Sequence, residues 1–137
     1  MSTTTFSKEE KAAMKAAVAE AKAAKEGADF AKACDEAIAG MSGSDKEFAE
    51  ALHELVATNT ELKPKTYYGM PAYMNADGKV VVFFKPAAKF KTRYATIGFN
   101  GEANLDDGNL WPTEYAIVGL TAADRKRLVE LLTKAVS

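Results

Sequence analysis

Carboxylates are the side chains whose grouping in this sequence is most typical of a metal site. Hard cations such as Mg²⁺, Ca²⁺ or iron bind clustered carboxylate oxygens. Three acids lie along one predicted helix, and three more share one loop. The loop spacing matches no EF-hand motif, and Asp106-Asp107-Gly108 is also typical of a turn. Metal binding and a plain turn are therefore alternatives for the loop. The candidate ligands are Glu47, Glu50, Glu54, Glu102, Asp106 and Asp107.

The single histidine and the single cysteine offer little catalytic chemistry. Glu50 and His53 have the three-residue spacing of di-iron helices, whose ligands share one helix face, but the motif occurs once and no second histidine is present. Cys34 falls on an apolar helix face, where a buried, unreactive thiol is typical. The sequence has no P-loop, dinucleotide-binding fingerprint or nucleophile elbow. We therefore expect a histidine at the edge of the core, no enzyme activity and no cofactor.

The stretch between Asp77 and Glu102 contains no acid and interleaves basic with aromatic residues. Such a pattern can bind phosphate groups and stack on rings. The net charge of −1 argues against nucleic acid as the partner. A small anionic ligand is the functional interpretation, and a solvated rim of a strand pair is the alternative. The candidate cations are Lys85, Lys89, Lys91 and Arg93.

Residues 66–73, TYYGMPAY, crowd aromatic rings around one glycine. Gly69 permits a sharp approach of the backbone, and Pro71 restricts the entry to the following strand. The pattern predicts a cleft mouth in which the four cations hold an anionic group beside Tyr68 and Tyr73, and a packed corner of the core is the alternative. The predicted ligand-binding residues are Tyr67, Tyr68, Gly69, Met70, Pro71, Tyr73, Lys85, Lys89, Lys91, Arg93 and Trp111.

Length and composition indicate one ordinary globular domain. The chain has 137 residues, of which 47% are hydrophobic and 27% are charged. Its N-terminus lacks the apolar stretch of a secretory signal, and no run approaches the roughly 18 apolar residues of a spanning helix. A single cysteine fits a reducing compartment. We therefore expect a cytoplasmic protein with no membrane partner.

Capping signals and apolar spacing predict three helices before the first strand. The capping boxes Ser7-x-x-Glu10 and Ser44-x-x-Glu47 indicate two helix starts, with Phe6 packed against the first. The first helix, residues 8–25 ended by Gly27, has only a thin apolar stripe, so we expect a peripheral helix whose removal leaves the domain folded. The second helix begins near residue 30, and the third ends near residue 60.

From residue 63 the pattern changes from helix to strand. Asp77-Gly78 supplies a hairpin turn, and Thr121 with Asp124 marks the start of a last helix. Short connections between strands imply an antiparallel sheet, packed by the N-terminal helices and the C-terminal helix, so the predicted fold class is α+β. The predicted strands are 72–74, 79–85, 93–99 and 114–118.

The order of these blocks resembles a known family. GMPAY at 69–73, a DGK hairpin, FKPAAKFKTRYATIGF, LDDGNLWPTEYAI and a terminal helix are together similar to the YdhG-like family, bacterial domains of unknown function. The resemblance covers residues 44–137 and leaves 1–43 as an N-terminal helical extension packed on that domain. It implies an α+β domain of frataxin-like character, with an iron chaperone among its relatives.

Two functional hypotheses follow from the sequence. The first is a non-catalytic binding module whose aromatic and basic cleft holds a small anionic or aromatic ligand. The alternative is a frataxin-like iron carrier that uses the surface carboxylates. An enzyme ranks third, after these two hypotheses. A pocket walled by tyrosines and lysines would favour the ligand, whereas carboxylates converging within about 5 Å would favour the metal.

Overall fold

The chain changes from helix to strand at Lys63, because Pro64 has no N–H group to continue a helix. The structure, a computed structural model, describes residues 7–25 and 29–137, with 23–25 described by their backbone alone. The predictions for Phe6 and Gly27 lie outside these residues. In chain order the elements are α1 (Lys8–Lys25), α2 (Phe30–Ala39), α3 (Gly43–Asn59), β1 (Lys63–Tyr67), β2 (Met70–Met74), β3 (Val80–Lys85), α4 (Ala87–Phe90), β4 (Ala95–Phe99), β5 (Glu114–Ile117) and α5 (Ala122–Ala135).

The five strands form one antiparallel sheet in the order β1-β2-β3-β4-β5. Every strand therefore pairs with its neighbours in the sequence, an order that the short β1–β2 and β2–β3 connections favour. The predicted α+β class, with an antiparallel sheet packed by helices before and after it, is confirmed. None of the described helices combines the length and apolar character needed to cross a membrane.

The core lies on the face of the sheet that α2, α3 and α5 cover. Tyr73, Val82 and Phe99 stand opposite one another on neighbouring strands of this face. Because α2 packs into the same cluster, residues before 44 contribute to the core. The division into an N-terminal extension, residues 1–43, and a domain, residues 44–137, stays a prediction. The buried helix residues of the cluster are Cys34, Ile38, Phe48, Ala49, Leu52, Val56, Leu128, Leu132 and Ala135.

The opposite face of the sheet carries Met70, Phe83 and Lys85, and we call it the open face. Side chains alternate along a strand, so Met70 points away from Tyr73. The Phe83 ring lies on Gly98, where any Cβ atom would come within 2.2 Å of it. Side chains of α1 and α4 approach this face, although Ala87 at the start of α4 also packs against the core cluster.

Local capping boxes account for two of the helix starts. Glu10 N–H donates to Ser7 Oγ, and Ser7 N–H donates to Glu10 Oε1, at 3.0 and 3.2 Å, so the first predicted capping box is confirmed. α5 begins with the corresponding box between Thr121 and Asp124.

The capping box predicted at Ser44 is wrong. Lys46 N–H already donates to the carbonyl of Ser42, so the helix begins before Ser44, which cannot then be the N-cap. Ser42 is the N-cap, and its side chain makes no capping hydrogen bond.

Candidate ligand-binding site

A pocket of about 340 Å³ lies between α1, α4 and the open face. Its size is within the range of small-molecule sites. Most of its wall is aromatic or methionine side chain, and its charged groups are one lysine and two glutamates. The lining residues are Glu10, Ala13, Met14, Tyr68, Met70, Phe83, Lys85, Phe90 and Glu114.

The turn between β1 and β2 places Tyr68 at this pocket. Tyr68 and Gly69 both have positive φ, 52° and 79°, which matches a two-residue type I′ hairpin turn. The first position of such a turn favours asparagine, aspartate or glycine, because other side chains are strained in the left-handed region. Tyr68 occupies it nevertheless, with 43% of its surface exposed.

Glu20 of α1 holds this turn in place. Its two carboxylate oxygens accept hydrogen bonds from the N–H groups of Tyr68 and Gly69, each at 2.9 Å. Ala16 approaches the same glycine, where a Cβ atom would lie 3.4 Å from the Ala16 methyl and 2.7 Å from Lys89 Nζ. The positive φ of 79° is what favours glycine at position 69, because the Ala16 contact has ordinary van der Waals length and the end of the Lys89 side chain can move.

Two lysines share the aromatic wall formed by Phe90. Lys85 Nζ lies 5.0 Å and Lys89 Nζ lies 5.6 Å from the centre of the Phe90 ring, within the range of cation–π contacts. Neither lysine forms an ion pair with a described residue. The two ammonium groups are therefore available to an anionic group at the pocket side of α4.

Asp45 positions α4, although it belongs to α3. Its carboxylate accepts from the N–H groups of Ala87 and Ala88, at 2.9 and 3.0 Å, and thereby satisfies the first donors of the short helix. Asp45 is buried. One acidic side chain of α3 thus fixes the helix that carries Lys89 and Phe90.

The structure brings some predicted ligand-binding residues together at the pocket. Tyr68, Met70 and Lys85 line it, and Lys89 Nζ lies next to Gly69. Tyr67 supports the wall through two ring contacts. Its ring centre lies 4.8 Å from that of Tyr68 in an edge-on arrangement and 5.5 Å from that of Phe83 in a tilted one.

Other predicted residues lie elsewhere. Pro71 and Tyr73 are buried on the core face, because the alternation that points Met70 to the open face points them away from it. Trp111 packs against the core cluster. Lys91 pairs with Glu9 at 2.8 Å, and Arg93 lies over the Tyr94 ring at 5.1 Å.

Tyr73 begins a chain of polar groups that leads from the core to the surface. Its hydroxyl lies 3.0 Å from His53 Nδ1 and shares a hydrogen bond with it, and His53 Nε2 is 3.9 Å from Asp35. Burial raises the pKa of Cys34 to about 11, although hydrogen bonds from the Tyr73 hydroxyl and the Ala72 N–H oppose the shift. Burial also raises the pKa of Tyr73, as does the neighbouring Cys34.

Several pocket residues were not predicted as site residues. Phe83 and Phe90 belong to the basic and aromatic stretch, so their residue types were a usable signal. Glu10, Met14 and Glu114 come from elements distant in sequence, and no local pattern relates them to the pocket. Their placement depends on how α1 and β5 pack.

The candidate metal ligands do not form a cluster within the described ranges 7–25 and 29–137. No three His, Cys, Asp or Glu side chains there are placed to hold a metal ion. Glu102 lies 3.8 Å from Lys79 Nζ, and Asp106 and Asp107 are exposed. The prediction that the protein needs no cofactor stays a prediction.

Comparisons with family models, with curated proteins and with solved structures find no match for this chain. The resemblance to the YdhG-like family therefore stays a prediction, as does the iron carriage that it implies. The geometry of the pocket is the observation from which a function can be argued.

Proposed function

We propose that the protein is a non-catalytic binding module that holds a small aromatic ligand bearing one anionic group. The observation that carries this proposal is the pocket on the open face, in which Met14, Tyr68, Phe83 and Phe90 form an apolar wall beside Lys85. Apolar pockets with a few convergent polar groups are typical of small-molecule sites.

The charges of the pocket narrow the class of ligand. Glu10 and Glu114 line it together with Lys85, so a polyanion would meet two carboxylates as well as the lysine. A ligand with a single carboxylate, sulfate or phosphate can contact Lys85, and Lys89 at the side, while its ring lies on the aromatic wall. The proposal therefore favours aromatic acids over nucleotides with several phosphates.

The size of the pocket sets the expected affinity. A ligand of about a dozen non-hydrogen atoms that gains about 0.3 to 0.7 kcal/mol per atom has a Kd between about 2 mM and 1 μM. A screen must therefore use ligand concentrations near 1 mM, because at lower concentrations the ligands of lowest affinity would occupy only a small fraction of the sites.

The test is a thermal-shift and calorimetric screen of matched aromatic compounds. Each ring system is offered as its carboxylate, its phosphate ester, its neutral amide and its primary amine. We expect the singly charged anions to raise Tm and the amines to have no effect. Ferrous iron is included, since stabilisation by iron alone would favour the carrier hypothesis instead.

Variants connect the result to the pocket. Lys85→Met keeps the aliphatic stem and removes the cation, so the preference for anions over amides should fall about tenfold, the effect of losing one charge-assisted contact. Lys126→Met, at an exposed position of α5, should leave binding unchanged. The proposal is overturned if no aromatic anion binds at 1 mM, or if Lys85→Met binds as the unmodified chain does.

A further inference from the structure

The outer edge of β5 is an unpaired strand edge in the described part of the chain. Phe99 N–H donates to the Thr113 carbonyl at 2.8 Å, and in the same register Ile97 pairs with Tyr115 and Ala95 with Ile117. Hydrogen bonding alternates from one side of a strand to the other. The N–H and C=O groups of Glu114 and Ala116 therefore point away from β4, toward the outside of the sheet.

The two edges of the sheet differ in their protection. β1, at the other edge, contains Lys63, Pro64 and Lys65 and has α2 alongside it, and lysine, proline and a covering helix all discourage pairing with another strand. β5 has the sequence Glu-Tyr-Ala-Ile, with no lysine or proline. Its edge lacks the protective features that the same sheet uses on the opposite side.

A groove of about 290 Å³ with a mixed apolar and polar lining accompanies this edge. Tyr115 and Ile117 form one wall from β5, and Leu128 and Leu131 form the other from α5. Val118, directly after the strand, is 78% exposed. A strand added at the edge of β5 would extend the sheet over this groove and remove these apolar surfaces from water.

We propose that two copies of this chain associate through their β5 edges, in antiparallel register about a two-fold axis. Antiparallel pairing lets the outward N–H and C=O groups of one strand bond those of its copy, and the small side chain of Ala116 allows the strands to approach. The groove of each copy then joins the groove of the other under one continuous sheet.

Charge complementarity favours a second copy as the occupant. Asp124 and Arg127 line the groove one helical turn apart and have opposite signs. A two-fold axis perpendicular to α5 would reverse the direction of that helix in the partner copy and turn the acidic end of each groove toward the basic end of the other. Pairs of opposite charge then meet, and no like charges need to.

The test measures the molar mass of the full chain by sedimentation equilibrium over a range of concentrations up to about 1 mM, where even a Kd near 1 mM is visible. We expect a dimer. Val118→Lys places a charge at the edge, and Ala116→Pro removes an outward N–H without disturbing the bonds to β4. Each should raise the dimer Kd at least about tenfold.

Val18→Lys on α1 is the matched control, because Val18 is also exposed, at 73%, but lies on another element. It should leave the dimer intact, and circular dichroism should show that all three variants fold. The proposal is overturned if the unmodified chain is monomeric up to 1 mM, or if a dimer forms equally well with Val118→Lys and Ala116→Pro. Neither outcome bears on the ligand pocket, which is tested by other variants.

Discussion

At the scale of single residues, the two tyrosines at positions 68 and 73 serve different parts of the molecule. Tyr68 is in a left-handed conformation that a tyrosine adopts at a cost of about 1–2 kcal/mol, and its ring lies at the pocket. Such an outlier is a reason to suspect function. Tyr73 is unstrained and buried, and it serves the core.

The strain at Tyr68 leads to a prediction with opposite effects on stability and binding. Tyr68→Asn creates the Asn-Gly pair that a type I′ turn favours, so the free energy of unfolding should rise by about 1 kcal/mol. The same change removes one aromatic wall and should weaken binding of aromatic anions. Urea denaturation and calorimetry of the same preparation measure both quantities.

Tyr94→Asn provides the control for Tyr68→Asn. Tyr94 is likewise partly exposed, at 37%, but it lies outside the pocket lining. Its replacement should leave binding of aromatic anions unchanged. Equal weakening of binding in both variants would show that loss of a surface tyrosine ring in general, rather than loss of the Tyr68 ring from the pocket, lowers the affinity.

The buried thiol and phenol predict loss of stability at alkaline pH. The pKa of Cys34 is raised to about 11 in the folded chain, so the folded state keeps its proton between about pH 9 and 11 while the unfolded state loses it. The free energy of unfolding should therefore fall across this window, by about 2 kcal/mol at pH 10.5. The raised pKa of Tyr73 acts in the same direction at higher pH.

Denaturation at pH 8 and pH 10.5 measures this effect. Cys34→Ala should show a smaller loss between the two pH values, whatever its stability at pH 8. Thiol reagents provide a second measurement at pH 8, where native Cys34 should react far more slowly than the thiol of the urea-unfolded chain. A native thiol that reacts at the unfolded rate would contradict the buried environment.

At the scale of elements, two helices on the open face are held by polar groups more than by apolar burial. α1 has Ala13 as its one buried side chain among residues 8–22, and Glu20 and Glu9 tie it to the β1–β2 turn and to Lys91. α4 has no buried residue and depends on Asp45. The pocket between them is therefore assembled by carboxylates that accept specific hydrogen bonds.

Deleting residues 1–25 tests the role of α1. Because the helix buries so little, the remaining chain should still unfold cooperatively in urea. The pocket would lose Glu10, Ala13 and Met14, so aromatic anions should no longer stabilise the truncated chain. Glu20→Gln is a smaller change that tests the same contact. Its amide has one oxygen acceptor where the Glu20 carboxylate has two, so one of the hydrogen bonds to the Tyr68–Gly69 turn should be lost. Loss of cooperative unfolding after truncation would show that α1 belongs to the core.

Asp45→Asn tests the support of α4. The amide NH₂ cannot accept from an N–H group, so one of the two bonds to Ala87 and Ala88 should be lost within a buried site, at a cost of about 1–3 kcal/mol. Glu47→Gln, an exposed change on the same helix, should alter the free energy of unfolding by less than about 0.5 kcal/mol. Urea denaturation of both variants checks the difference.

At the scale of the whole molecule, the sheet has one face for the core and one for the pocket. α2, α3 and α5 bury the first face in a single cluster, whereas α1 and α4 leave part of the second face accessible. β5 contributes to three surfaces, since Ile117 lies in the core, Glu114 lines the pocket, and its outer edge is the proposed contact between copies. Ligand binding and association can therefore be disturbed separately, by Lys85→Met and by Val118→Lys.

The sequence by itself determined the features that depend on neighbours along the chain. The capping boxes at Ser7 and Thr121 mark helix starts because their partners lie three residues away, and hydropathy periods distinguish helices from strands. The order of elements then implies an antiparallel sheet, since the first strands of the sequence are joined by short connections. The α+β class could be predicted in this way without tertiary information.

Only the tertiary structure decided which of these residues meet. The start of α4 depends on Asp45, 42 residues away from Ala87, and the turn at Tyr68 depends on Glu20, 48 residues away. The face to which Tyr73 points depends on the register of β2, and a shift of one residue would reverse it. Such contacts join side chains across long stretches of sequence, where no local spacing records them, so the pocket and its support had to come from the packed molecule.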